Sequence, residues 1–132
     1  MDAASYLEFP LVDSEMSVEL FGPQDDEIGA MQREIWQAIR WSLTKDIQNL
    51  KTASADELEQ NLHKIFGYSS NAALLRLGII LKDWLELPEP HESAADFLPL
   101  ALETATLSIA EIENLFPQLQ RALRNLTEQA PP

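Results

Sequence analysis

The sequence predicts an all-α protein, an antiparallel four-helix bundle with a short N-terminal helix or extension. Apolar residues recur every three or four positions along most of the chain, and no segment alternates as a strand does. Capping residues, glycines and prolines divide this pattern into separate helices. With 132 residues, 45% of them hydrophobic, the chain is one domain's length. We assign an extension to residues 1–22, the bundle to 23–128 and a frayed tail to 129–132.

The N-terminal extension shows no sustained period before residue 13. Residues 14–21 are typical of a short helix, which Gly22-Pro23 would end. Its apolar residues are expected to cover one end of the bundle: Met16, Val18, Leu20 and Phe21.

The first long helix is predicted from about residue 25 to 50, with acidic residues 25–27 at its start, where the helix dipole favours them. We expect its apolar stripe to face the core: Ile28, Met31, Ile35, Ile39, Leu43, Ile47 and Leu50. Trp36 and Trp41 do not both fit on this stripe, so one should lie at its margin and the other be exposed.

The next two helices have a clear start and a clear end, but the boundary between them is not marked in the sequence. Ser54 followed by Glu57 is a capping box, which predicts a helix from residue 55 to about 71. Another is predicted from about 72 to 87, and the two either join through a kink or run together. Its core residues are expected to be Leu74, Leu77, Ile80 or Leu81, Trp84 and Leu85. The prolines at 88 and 90 end it.

The last helix is predicted from about residue 96 to 128, after a loop at 91–95 and a cap at Ser93 or Asp96. Pro117 lies inside its pattern and should kink it. The expected stripe is Leu98, Leu102, Ala105, Ile109, Ile112, Leu115 or Phe116, Leu119, Leu123 and Leu126.

Composition excludes several function classes. Nine basic against 22 acidic residues give a net charge of −13, which disfavours binding to nucleic acids and to anionic membranes. We interpret the charge as an aid to solubility rather than as recognition of a basic partner. The chain has no cysteine and no apolar run long enough for a membrane span. Its first ten residues include Asp2 and Glu8 but no basic residue, unlike a signal peptide, so we expect a cytoplasmic protein.

One histidine stands out on the helix predicted from residue 55. At 100° per residue, the apolar stripe of this helix faces about 20° from Leu58, and His63 lies roughly 120° from that direction. Gly67 and Ser70 share its face, so His63 should be exposed beside small residues. Inside a helix, glycine is less favourable than alanine by roughly 1 kcal/mol. A glycine at position 67 is explained if a partner protein must approach the imidazole of His63.

At these residues the chain resembles the histidine-containing phosphotransfer (HPt) domain family. In the family pattern, a histidine is followed by an aliphatic residue two positions later, a lysine three positions later, a glycine four positions later and a small residue six positions later. This chain matches the pattern at His63, Ile65, Gly67 and Ser69. Phe66 stands in place of the lysine, with Lys64 as a substitute about 100° away around the helix. Ala73 stands where a glycine ten on is common.

The resemblance implies a stoichiometric phosphoryl carrier rather than a pocket enzyme. His63 would accept a phosphoryl group from a receiver-domain aspartate and pass it to another receiver, in a response regulator or hybrid histidine kinase. The receiver would bring the Mg²⁺, so the chain needs no cofactor or metal of its own, and a monomer is expected. Supporting residues would be Glu59, Lys64, Gly67 and Ser70, and partner-binding residues Gln60, Phe66 and Tyr68.

Two alternatives remain open. The Phe66 substitution favours a non-phosphorylated helical adaptor, a degenerate HPt-like module that binds a signalling partner through the same face. A small all-α enzyme is a weaker option, because the sequence shows no convergent cluster of polar residues. No nucleophile-elbow pattern supports a Ser/His/Asp triad, and no phosphate-binding glycine loop is present. Glu59 and His63 offer only two ligands on one helix face, too few to indicate a metal site.

Overall fold

A computed structural model of the chain describes residues 3–23 and 26–119. These residues form helices and no strand, as the sequence predicts. The helices are α1 (Ala3–Tyr6), α2 (Ser14–Phe21), α3 (Asp26–Asn49), α4 (Ala55–Asn71), α5 (Leu75–Leu85), a 3₁₀ helix (Pro90–Ser93) and α6 (Ala94–Leu115). Within the described ranges, no helix is both long and apolar enough to cross a bilayer. The predicted tail at 129–132 lies outside these ranges.

The four long helices enclose one hydrophobic core. α3 packs against α4 and α6, and α5 packs against the same two helices. Each helix contributes side chains with at most 1% exposure, among them Trp36, Leu43, Leu62, Ile65, Leu77, Ile80, Trp84 and Ile112. The core therefore lies between the predicted helices, and Tyr6 of α1 and Phe21 of α2 are also buried in it.

Helix starts follow the capping signals in the sequence. The Ser54 hydroxyl accepts a hydrogen bond from the Glu57 N–H at 3.3 Å, which confirms the predicted start of α4. The Asp13 carboxylate accepts one from the Met16 N–H at 3.0 Å and caps α2. Each such cap stabilises a helix end by about 1 kcal/mol.

α2 ends at Phe21, as Gly22-Pro23 predicts. The structure gives a steric reason for a glycine at position 22. The Gly22 N–H donates to the Val18 carbonyl at 2.8 Å. A Cβ at Gly22 would lie 2.4 Å from that carbonyl oxygen, which is backbone and cannot move aside cheaply. Glycine is therefore required here by close approach.

The predicted core stripe of α3 is wrong in its first half. Three of its residues are between 46% and 57% exposed: Ile28, Met31 and Ile35. Trp36, about 100° around the helix from Ile35, is fully buried, with Phe21 edge-on at a centroid distance of 5.5 Å. The larger indole takes the core position, because it buries more apolar area. Trp41 is the exposed tryptophan, while the second half of the stripe is buried as predicted at Leu43, Ile47 and Leu50.

The N-terminal extension is fixed to α5 by polar contacts. The Tyr6 hydroxyl donates to an Asp83 carboxylate oxygen at 2.7 Å, and the Arg76 side chain donates to the Phe9 carbonyl at 2.8 Å. Burial of the Tyr6 phenol, followed by its hydrogen bond to Asp83, raises the pKa of Tyr6 well above its ordinary value. The extension thus forms one wall of the surface beside α5.

A sharp turn separates α4 from α5. Ala73 has a φ of 61°, in the left-handed region, and the Asp13 N–H donates to its carbonyl at 2.9 Å. The two helices are therefore not one kinked helix, and α5 begins at Leu75 and ends at Leu85, two residues before the predicted end. Ala73 occupies the position at which the HPt pattern commonly has glycine.

We expect Ala73→Gly to be tolerated far better than glycine at its neighbour. A left-handed conformation costs an L-residue about 1–2 kcal/mol, and glycine escapes this cost. Ala72 is also buried but has a φ of −114°, so it is the matched control. In urea denaturation, Ala72→Gly should lose about 1–2 kcal/mol of unfolding free energy and Ala73→Gly less than about 0.5 kcal/mol. Equal losses would contradict this account of the turn.

The segments flanking α6 differ from the prediction. The predicted loop at 91–95 contains the end of the 3₁₀ helix, and α6 begins at Ala94 rather than near 96. At the other end, α6 stops at Leu115 and Phe116 leaves the helical conformation, so Pro117 follows a break rather than a kink. Residues 117–119 are helical again, and the predicted continuation to 128 lies outside the described residues. Phe116 is buried and Leu115 is half-exposed, which selects Phe116 for the stripe.

Candidate functional site

α4 presents two different faces. Its core face carries buried apolar and small residues, namely Leu58, Leu62, Ile65 and Ser69. His63 is exposed on another face, as the helical wheel predicts. The imidazole therefore lies where another protein can reach it.

Small residues surround His63 on the following turns of α4. Apart from the neighbouring residues and backbone of α4 itself, no atom of the described residues lies within 4 Å of the position that a Cβ would take at Gly67. Ser70 is exposed on the same face. Packing among the described residues therefore does not require a glycine at position 67, where it costs the helix about 1 kcal/mol relative to alanine.

An open apolar groove continues from this face. It has a volume of about 250 Å³ and lies between α4, α5 and the N-terminal extension. Its α4 side includes Phe66 and Ser70, its α5 side includes Ile79 and Lys82, and Met16 contributes from α2. The groove therefore begins one turn from His63 and offers apolar area beside an exposed nucleophile.

The two aromatic partner-binding candidates differ in position. Phe66 is half-buried, packs against the core and lines the groove. Tyr68 is half-buried on the side of α4 that faces α3, about 140° around the helix from His63. Burial and a hydrogen bond with Asp46 of α3 raise the pKa of Tyr68, and a weaker opposing effect comes from Ser42. Phe66 belongs to the His63 surface, whereas the Tyr68 hydroxyl is engaged between helices.

The polar candidates of α4 are all exposed: Glu59, Gln60 and Lys64. Glu59 lies one turn before His63, close to the same face, and brings a negative charge to it. Lys64 points about 100° away from His63 around the helix. Of these side chains, none supplies a cation on the His63 face itself.

Two contributors to this surface were missed by the sequence analysis. Met16 and Lys82 reach the groove from α2 and α5. Helical periodicity places residues on a face of their own helix, but it does not show which neighbouring helix lies beside that face.

A separate cluster of possible metal ligands lies at the 3₁₀ helix. Glu89, His91 and Glu92 place ligand atoms within 4.8 Å of one another, and all three are exposed. Exposed acidic groups commonly gather in this way without a metal, so the cluster does not define a site.

The His63 imidazole is exposed on α4, and the groove begins one turn away from it. An exposed imidazole can attack an electrophile that a partner presents. The apolar groove and polar rim beside it are typical of a transient protein interface. Comparison with known proteins adds no identification, because no family model, curated protein or solved structure matches the chain.

Proposed function

We propose that the chain is an HPt-type phosphoryl carrier in which His63 accepts a phosphoryl group from the aspartate of a receiver domain. The observation that carries this proposal is an exposed histidine one helical turn from Gly67, a glycine that packing within residues 3–23 and 26–119 does not require. Gly67 makes sense if the partner's reacting centre must come within bonding distance of the imidazole.

The proposed fold is an antiparallel four-helix bundle of α3, α4, α5 and α6. Each of these helices packs against two of the others, and the connections between them are short. Such a bundle holds α4 rigidly, with one face in the core and the His63 face outward. We propose that it acts as a monomer in the cytoplasm.

The transfer requires little from this chain. A nitrogen of the imidazole forms a bond to phosphorus, the acyl-phosphate oxygen–phosphorus bond breaks, and the receiver's aspartate leaves as a carboxylate. The second nitrogen of the ring releases its proton to solvent. Mg²⁺ bound to the receiver would neutralise the transferred oxygens, while the groove positions the two proteins. A second receiver reverses the steps.

The second candidate is an adaptor that binds a receiver through the same surface without phosphorylation. It is favoured by Phe66, an apolar residue in the groove at the position of the family's lysine. In this case His63 would be dispensable.

The deciding experiment incubates the chain with phosphorylated receivers of its own organism and measures intact mass and acid lability. We expect one acid-labile phosphoryl group on the wild type and none on His63→Gln. His91→Gln is the matched control, since His91 is the only other histidine and is also exposed. A receiver that binds the wild type and His63→Gln equally, without any phosphate transfer, would replace the carrier by the adaptor.

A further inference from the structure

The groove beside His63 contains a lysine from another helix. Lys82 of α5 is exposed and lines the groove opposite Phe66 and Ser70 of α4. Among the described residues, Lys82 has no ion-pair partner. Its ammonium group is therefore available to an anion that enters this surface.

The register of α4 against α5 brings Lys82 near the level of His63. Gly78 of α5 lies against Ser69 of α4, where an added Cβ would be 4.0 Å from the serine Cβ. At a rise of 1.5 Å per residue, His63 lies about 9 Å before Ser69 along α4, and Lys82 about 6 Å beyond Gly78 along α5. Because α4 and α5 run in opposite directions in the proposed antiparallel bundle, both displacements lead toward the same end of the bundle. The two residues then differ by about 3 Å along the axis, less than one helical turn.

A phosphoryl group on His63 needs such a cation. It would carry negative charge on a chain whose net charge is already −13, with Glu59 one turn away. Charge-assisted hydrogen bonds from an ammonium to phosphoryl oxygens are among the stronger polar interactions. Lys64 is adjacent in sequence, but it points away from this face.

We propose that Lys82 contacts the phosphoryl oxygens on His63. It would supply the positive charge that a lysine supplies in the HPt pattern at the position that Phe66 occupies here. This inference rests on the carrier function proposed above and assigns a second residue to the same site. Lys82 would stabilise both the transferring group and the phosphohistidine, because the charge on the oxygens persists after transfer.

The test uses phosphoramidate as a small phosphoryl donor, so that receiver docking plays no part. The imidazole nitrogen forms a bond to phosphorus, the phosphorus–nitrogen bond of phosphoramidate breaks, and ammonia leaves while the ring releases a proton. We would compare wild type, Lys82→Ala and Lys82→Arg, with Lys45→Ala, at an exposed lysine of α3, as the control for loss of one positive charge. Phosphorylation and hydrolysis rates are followed by intact mass at low and high salt.

We expect Lys82→Ala to slow phosphorylation about tenfold and to shorten the life of the phosphohistidine, with a smaller effect at high salt. Lys82→Arg should restore most of the rate, and Lys45→Ala should change it less than twofold. Equal rates for the two alanine variants would overturn the role of Lys82 while leaving His63 as the acceptor. A wild type that neither phosphoramidate nor any receiver phosphorylates would overturn the carrier function itself.

Discussion

Gly67→Ala should make the domain more stable and the phosphoryl transfer slower. Alanine is favoured over glycine inside a helix by about 1 kcal/mol, and the open space around Gly67 leaves room for the added methyl group. The same methyl would stand between the imidazole of His63 and an approaching receiver. Displacing reacting groups by about 1 Å can cost on the order of 100-fold in rate, so we expect a loss of 10- to 100-fold.

Two measurements separate these effects. Urea denaturation should show the gain in unfolding free energy of Gly67→Ala. Gly78→Ala is the control for this gain, because a Cβ at position 78 would make only an ordinary van der Waals contact with Ser69. Transfer from a phosphorylated receiver should slow in Gly67→Ala, whereas phosphorylation by phosphoramidate should not, since the small donor needs less space. A Gly67→Ala variant that accepts phosphate from the receiver at the wild-type rate would show that the glycine serves no partner.

Trp84→Ala should remove most of the stability of the domain. The Trp84 side chain is fully buried, stacks on Phe97 at a centroid distance of 5.5 Å and donates its indole N–H to the Pro90 carbonyl at 2.7 Å. Truncating a buried tryptophan costs about 3–5 kcal/mol, a large share of the typical stability of a small domain. The variant should have a much lower urea midpoint.

Trp41→Ala is the matched control for this substitution. Trp41 is 44% exposed, so its truncation should change the unfolding free energy by less than about 1 kcal/mol. Trp84→Phe should recover much of the apolar burial but leave the Pro90 carbonyl without its donor, and should fall between wild type and Trp84→Ala. Similar urea midpoints for the Trp41 and Trp84 alanine variants would contradict the burial assigned to Trp84.

Local signals in the sequence predicted the helices well because their causes are local. The capping box at Ser54, the steric stop at Gly22 and the prolines after α5 each act within a few residues of the boundary that they set. The outward direction of His63 was predictable for the same reason, since a regular stripe on α4 defines the opposite face.

Competition between distant residues could not be predicted from periodicity. The first half of α3 buries Gly29, Gln32 and Trp36 instead of its apolar stripe, and Trp36 packs against Phe21 of α2. Likewise, the left-handed turn at Ala73 receives a hydrogen bond from Asp13, sixty residues earlier in the chain. The groove was missed because its walls come from α2, α4 and α5 together.

The division of α4 into two faces has a consequence for how this protein can evolve. Substitutions at exposed positions such as Gln60 and Ser70 leave the core untouched, so recognition of new partners can change without repacking the bundle. Phe66 is different, because the same ring packs against the core and lines the groove. A substitution at Phe66 therefore changes both the packing of the core and the surface of the groove. Selection for stability at this position restricts selection for partner recognition.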